Sequence, residues 1–132
     1  MQAELVDVIY SLVPQASFRI NNNNEEYSSI TWLDTDNYTV PTETEFNERR
    51  SLLTSQLPLK IYREIREIIF METDKYALPD FPHQSEEIRQ AWLNYRQLLR
   101  DLPSTQNPTL SEYGELNNIT WPTDPNGRTG PP

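Results

Sequence analysis

The chain has no cysteine, a single histidine (His83) and no glycine before Gly114. Without cysteine there is no disulfide framework and no thiolate metal site, and one histidine leaves too few ligands for a zinc site. A phosphate-binding loop needs closely spaced glycines, which residues 1–113 do not supply. We therefore expect no metal, no cofactor and no catalytic residue.

Long apolar runs are also missing from the 132 residues, of which 36 % are hydrophobic. A membrane-spanning helix needs about 18 or more consecutive apolar residues, so no membrane partner is expected. The N-terminus carries Glu4 and Asp7 and no basic residue before Arg19, which is not the pattern of a signal peptide. The length and composition predict one small domain followed by a tail.

Basic residues are scarce in the first third of the chain, where residues 1–48 hold nine acidic residues and only Arg19 as a base. Residues 49–103 are nearly balanced, and the whole chain has a formal charge of −9. A nucleic-acid-binding protein needs a basic face to displace the counterions of the phosphates. The acidic balance argues against a nucleic-acid partner.

Residues 58–103 are the most strongly patterned part of the chain. Their apolar residues recur at spacings of three and four, which predicts two helices with one apolar face each. We expect the two faces to pack together as an antiparallel helical hairpin. The predicted stripes are Ile61, Ile65, Ile68 and Ile69 on the first helix, and Ile88, Trp92, Tyr95, Leu98, Leu99 and Leu102 on the second.

The N-terminal part predicts a short helix and a small β-hairpin. Residues 2–13 suit a helix that stops before Pro14, although a strand over residues 8–13 is the alternative. Residues 17–20 and 30–33 alternate polar and apolar side chains on either side of an asparagine-rich turn.

The next segment begins with a helix-start signal. Thr42 can cap a helix while Glu45 reaches back to the Thr42 amide. Pro58 is expected to end or kink that helix, and a single bent helix over residues 42–72 is the alternative. Ser85 is the expected cap of the following helix, which has Arg100 near its negative end.

The overall prediction is an α+β fold with three regions. Residues 1–57 form an N-terminal helix, hairpin and helix, residues 58–103 form the helical hairpin, and residues 104–132 form an extended, proline-rich C-terminal tail. Residues 103–132 hold six of the eleven prolines, and the C-terminal tail is too polar to fold alone. Trp121 is its apolar anchor, for docking either on its own domain or on a partner.

Charged residues near the predicted loop have both a structural and a functional interpretation. Asp74 and Asp80 are expected to cap turns or to pair with arginines of the flanking helices, and His83 is expected to be solvated. Arg89, Arg96 and Arg100 share one helix face. This face is interpreted as a solvated edge that pairs with the acidic N-terminal third, or alternatively as a docking edge for an acidic partner.

Several motifs in the second half of the chain occur together. The loop at 73–80 reads T-D-x-x-x-L-P-D, the helix at 92–103 reads W-x-x-Y-R-x-x-L-R-D-L-P, and W-P follows at 121–122. With the helix that bears Arg66, this set resembles the phage tail assembly chaperones. Together with a weaker N-terminal pattern, I-x-W-L-D at 30–34 and P-T-E-x-E at 41–45, the resemblance covers most of residues 17–122. The chain departs from the family in having Tyr76, where the family often has tryptophan, and in a longer spacing to W-P.

The resemblance implies a non-enzymatic protein that binds a phage tail fibre or a baseplate protein and assists its folding and assembly. A permanent structural subunit of the virion is the alternative, and self-association into a homo-oligomer is a further possibility. The implied location is the host cytoplasm during phage assembly, or the virion tail. The expected partner-binding residues are Trp92, Tyr95, Arg96, Arg100, Trp121 and Pro122. We expect Trp121→Ala to weaken partner binding and to leave the helices folded.

Overall fold

A computed structural model describes residues 1–132 and shows helices together with two small antiparallel sheets, consistent with the α+β class. The chain divides into two compact units, unit 1 (Met1–Leu57) and unit 2 (Pro58–Pro132), which are described separately. The helices and strands are α1 (Leu5–Leu12), β1 (Ser17–Ile20), β2 (Ile30–Leu33), α2 (Glu43–Thr73), α3 (Glu86–Thr105), β3 (Thr109–Leu110) and β4 (Leu116–Asn117). No helix is both long enough and apolar enough to cross a membrane.

Helix α1 supplies the centre of the core of unit 1. Leu5, Val8 and Ile9 are fully buried at helical spacing, so the strand alternative for this segment is wrong. Pro14 follows the helix end, as expected for a residue that forces its predecessor out of the helical conformation. The same core includes Phe46 of α2.

Strands β1 and β2 pair in antiparallel fashion, with Phe18 opposite Trp32. The connection between them includes Asn22 and Asn23 at positive φ, a conformation that asparagine tolerates better than most residues. Trp32 is half-buried and lies 6.4 Å from the ring of Phe18, and its other aromatic neighbours are Tyr27 and Tyr38. These rings cover one face of a sheet too small to be stable alone.

Helix α2 starts with the predicted capping box. The Thr42 amide donates to Glu45 Oε2 at 2.9 Å, and the Glu45 amide donates to Thr42 Oγ1 at 3.2 Å. The helix then continues through Pro58 as a single element of 31 residues. The expected end at Pro58 was wrong and the single long helix was right, because one missing N–H donor does not stop a helix whose other bonds and packing persist.

Helix α3 begins at the predicted cap, where Ser85 Oγ accepts a hydrogen bond from the Ile88 amide at 3.2 Å. It extends past Pro103 to Thr105, so Arg100 does not lie in its last turn, which corrects our placement of that residue. The core of unit 2 joins residues of both helices: Ile69, Trp92, Tyr95 and Leu99.

Two residues of the predicted apolar stripes are exposed rather than buried. Ile68 is 50 % exposed and Leu98 is 57 % exposed. Their sequence neighbours Ile69 and Leu99 are buried instead, and Tyr62, which was not part of the predicted stripe, is fully buried. Each core face is therefore narrower than predicted and, on α2, includes Tyr62.

The C-terminal tail has more structure than the extended segment we expected. β3 and β4 pair in antiparallel fashion, with Thr109 opposite Asn117, and Thr123 forms an isolated bridge with Thr129. Asp124 Oδ1 accepts hydrogen bonds from the amides of Asn126 and Arg128, which closes a turn between the bridged residues.

Candidate functional site

Arg96 is the most connected polar residue of unit 2 and is only 7 % exposed. Its Nη1 donates to Thr73 Oγ1 at 2.7 Å and to the Phe70 carbonyl oxygen at 3.2 Å, and its Nη2 pairs with Asp74 Oδ1 at 2.7 Å. A guanidinium presents several N–H donors in a fixed plane, which allows one side chain to satisfy all three acceptors. Arg96 thereby ties α3 to the end of α2.

This network joins two of the motifs found in the sequence, because Thr73 and Asp74 begin the loop motif and Arg96 lies in the helix motif. The expected pairing of Asp74 with an arginine of a flanking helix is confirmed. The interpretation of Arg96 as a solvated residue paired with N-terminal acids was wrong. Arg96 is buried, and its carboxylate partner is Asp74, which lies close to α3.

Phe70 is surrounded by arginines. The guanidinium carbons of Arg66, Arg96 and Arg100 lie 5.6, 4.8 and 5.2 Å from the centre of its ring. A cation at this distance is attracted by the negative face of an aromatic ring. We name these four residues the arginine cluster. Of its arginines, Arg96 is buried, Arg66 is half-buried and Arg100 is exposed.

An aromatic stack lies beside the Arg96 network. Tyr76 stacks on Trp92 with ring centres 4.0 Å apart and an angle of 14°, and Trp92 meets Tyr95 edge to face. His83 Nε2 lies 2.8 Å from the Tyr76 carbonyl oxygen, so this nitrogen carries the proton and donates it. His83 is half-buried, so it is only partly solvated.

Trp121 connects the C-terminal tail to the helices. Its ring stacks on Tyr62 at 5.4 Å with an angle of 23°, and Tyr62 donates its hydroxyl hydrogen to the Leu99 carbonyl. Burial raises the pKa of Tyr62, against the opposing effect of the Arg66 charge. The phenol therefore stays protonated, as a donor must.

An open cleft of about 580 Å³ lies where the turn of the C-terminal tail meets the helices of unit 2. The turn is held to α2 by an ion pair between Arg128 and Glu72 at 3.1 Å, in which both side chains are about half exposed. Burial raises the pKa of Tyr95, and the nearby carboxylate of Asp124 acts in the same direction. The cleft is lined by Glu72, Thr73, Lys75, Tyr76, Trp92, Asp124, Asn126 and Arg128.

The arrangement described above falls within the part of the chain that matches a known family. A family model described as phage tail assembly chaperone protein matches residues 59–126, more than half of the 132 residues. The chain belongs to the phage tail assembly chaperone family. Membership links it to bacteriophage tail assembly and to a phage tail protein as its partner. Comparisons with curated proteins and with solved structures each gave no match.

The family match and the resemblance described from the motifs differ in extent. The match contains the loop motif, the helix motif and Trp121-Pro122. It begins at residue 59, so the resemblance over residues 17–58 lies outside it. The features that define the family in this chain are therefore concentrated in unit 2.

The structure places the six predicted partner-binding residues in three environments. Trp92, Tyr95 and Arg96 are buried, Arg100 is exposed, and Trp121 and Pro122 are half-buried. Trp121 packs against the cluster that contains Trp92 and Tyr95. Their partner-binding role remains a prediction. Because Trp92, Tyr95 and Arg96 are buried, they can affect a partner only by positioning the exposed residues around them.

Sequence analysis did not identify Tyr62 and Phe70 as members of this site. The signal was present, because Tyr62, Arg66 and Phe70 are spaced four apart and therefore lie along one side of α2. Arg66 was noted only as part of the resemblance and as one of the flanking-helix arginines that could pair with the loop aspartates. Without knowledge of which side of α2 faces α3, the spacing alone did not single out these residues.

Proposed function

We propose that the chain is a non-enzymatic binding protein that attaches to a phage tail fibre, or to a neighbouring tail protein, and assists its folding and assembly. The proposal rests on the match of unit 2 to the assembly chaperone family. It places the protein in the host cytoplasm during assembly of the phage.

The observation that best supports binding is a pair of exposed apolar residues on α2. Ile68 is 50 % exposed and Met71 is 69 % exposed. They lie three residues apart, so they are neighbours on the helix surface, on the side away from the buried Ile69. Exposed apolar groups that occur together on a small protein mark contact surfaces for other proteins, and methionine adapts well to different partners.

The predicted binding residues take two different roles in this proposal. Arg100 and Pro122 have exposed surface with which to touch a partner directly. Trp92, Tyr95 and Arg96 pack α3 against α2, the helix that carries Ile68 and Met71, and they do not touch the partner themselves. Trp121 holds the C-terminal tail against the same helices.

The proposal is tested by capture of the partner from infected cells with the tagged chain, alongside mass spectrometry of purified virions. Recovery of a fibre or other tail protein, with the chain absent from virions, supports a chaperone. A fixed ratio of the chain to the fibre or baseplate in virions would show a permanent structural subunit instead. Capture of no tail protein would reject both.

Paired variants test the contact surface itself. We expect the double variant Ile68→Gln with Met71→Gln to reduce partner capture by about tenfold or more. Each substitution removes roughly 1 kcal/mol of apolar burial in the complex. The matched control is Val6→Gln with Leu52→Gln, which alters two exposed apolar residues on the helices of unit 1. Equal capture by both double variants would exclude Ile68 and Met71 from the interface.

A further inference from the structure

The arginine cluster carries more positive charge than its surroundings neutralise. Arg96 is paired with Asp74, but neither Arg66 nor Arg100 has a carboxylate within 4 Å. Arg100 makes only a 3.4 Å contact with Gln97 Oε1, and Arg66 lies over the rings of Tyr62 and Phe70. Two guanidiniums with free donors therefore lie on opposite helices against one aromatic ring.

This concentration of charge is unusual in a chain with a formal charge of −9. Like charges in close proximity repel one another unless an anion lies between them. The ring of Phe70 offsets part of that repulsion and holds the guanidinium planes in place. The unused N–H groups are thus arranged for an acceptor that comes from outside the chain.

We propose that the arginine cluster binds a short acidic segment of the phage tail protein, whose carboxylates are received by Arg66 and Arg100. Guanidinium–carboxylate pairs form two parallel hydrogen bonds and are among the strongest polar contacts in proteins. The identity of the partner rests on the proposed function, whereas the chemistry of the site rests on the cluster alone.

A protein segment fits the cluster better than a nucleic acid does. The phosphate backbone of a nucleic acid carries a dense row of negative charges. The rest of this chain has more acidic than basic residues and repels such a polyanion. A peptide with two or three carboxylates matches two guanidiniums and brings little further negative charge.

The test is fluorescence anisotropy with a labelled peptide of about 12 residues, rich in glutamate and leucine, at ~50 mM salt, where charge-assisted binding is least screened. A second peptide with glutamine in place of every glutamate is the ligand control. We expect only the first peptide to bind. The double variant Arg66→Gln with Arg100→Gln should weaken that binding about tenfold or more, since both guanidinium–carboxylate contacts are lost.

The control variant, Arg19→Gln with Lys60→Gln, removes the same amount of positive charge from exposed positions outside the cluster. It is expected to bind within about twofold of the natural chain. Arg100→Gln alone is also measured, because this exposed residue can change without disturbing the core. It should weaken binding several-fold.

Four results would overturn the proposal. These are no binding of the acidic peptide by the natural chain, equal loss of affinity in the cluster and control variants, equal binding of a single-stranded DNA of the same length, and a dimer in sedimentation that Arg66→Gln with Arg100→Gln dissociates. The last would show that a second copy occupies the cluster. Failure here leaves the proposed function standing if a tail protein is still captured from infected cells.

Discussion

At the scale of single residues, Arg96 shows how unit 2 accommodates a buried charge. A buried guanidinium is costly unless its donors are satisfied, and here three acceptors receive it. The acceptors are not equal. Thr73 is buried, so water cannot replace its hydroxyl, whereas Asp74 is mostly exposed and water competes for its carboxylate. The stabilisation should therefore come mainly from the buried hydrogen bonds of Arg96 and less from the ion pair.

We expect Arg96→Gln to lower the free energy of unfolding by about 2–3 kcal/mol, because it leaves buried acceptors unpaired and removes the contact with Phe70. Asp74→Asn should cost less than about 1 kcal/mol, as for other exposed ion pairs. Urea unfolding followed by tryptophan fluorescence measures both, since Trp92 is buried beside the network.

The control for this comparison is Arg89→Gln, which changes an arginine on the same helix that lies outside the cluster. It should alter stability by no more than about 0.5 kcal/mol. Equal losses for Arg96→Gln and Asp74→Asn would mean that the ion pair, rather than the buried hydrogen bonds, supplies the stabilisation.

At the scale of helices and strands, the features that sequence predicted correctly are local ones. The cap at Ser85 and the Thr42–Glu45 box depend only on residues a few positions apart, so their residue types suffice. Pro58 is also a local signal, but here the long helix overrides it. A stop signal competes with tertiary packing, which sequence alone does not reveal.

The helix faces show a second reason why sequence falls short. Ile68 and Ile69 are adjacent, as are Leu98 and Leu99, and both members of each pair fit a spacing of three or four. Only contact between the helices selects Ile69 and Leu99 for the core. The same ambiguity concealed Phe70, whose role depends on arginines from both helices.

Pro58 provides the prediction at this scale. Its ring lacks the N–H that would bond the carbonyl of residue 54, and a proline inside a helix typically costs about 3 kcal/mol. We expect Pro58→Ala to raise the free energy of unfolding by about 1–3 kcal/mol, reduced by the greater entropy of the unfolded chain. Circular dichroism during thermal unfolding would detect the gain.

Lys60→Ala is the control for Pro58→Ala, because it changes an exposed position of the same helix with little effect on helix propensity. The opposite result, a lower free energy of unfolding for Pro58→Ala with Lys60→Ala unchanged, would show that α2 needs the local geometry that proline provides at position 58.

At the scale of the whole molecule, the C-terminal tail depends on the helices for its structure. Its composition is too polar and proline-rich to form a core, yet Trp121 stacks on the buried Tyr62. Gly130, at φ 83°, lies against the Trp121 ring, and a Cβ added at Gly130 would lie 3.5 Å from that ring. Together with the Arg128–Glu72 pair, these contacts fix residues 121–130 on unit 2.

This packing changes what Trp121→Ala should do. From the sequence we expected weaker partner binding with the helices still folded, but the half-buried Trp121 ring that stacks on Tyr62 also stabilises unit 2. We now expect a loss of about 2 kcal/mol in the free energy of unfolding, below the cost of a fully buried tryptophan. We also expect faster tryptic cleavage at Arg128, because the tail is released from α2.

Tyr113→Ala is the matched control, since Tyr113 lies in the same tail and is 84 % exposed. It should change neither stability nor the rate of cleavage at Arg128. If Trp121→Ala behaves like Tyr113→Ala in both assays but still loses the captured phage protein, Trp121 serves the partner and not the fold. If stability and capture fall together, the docked tail is part of the folded unit that the partner recognises.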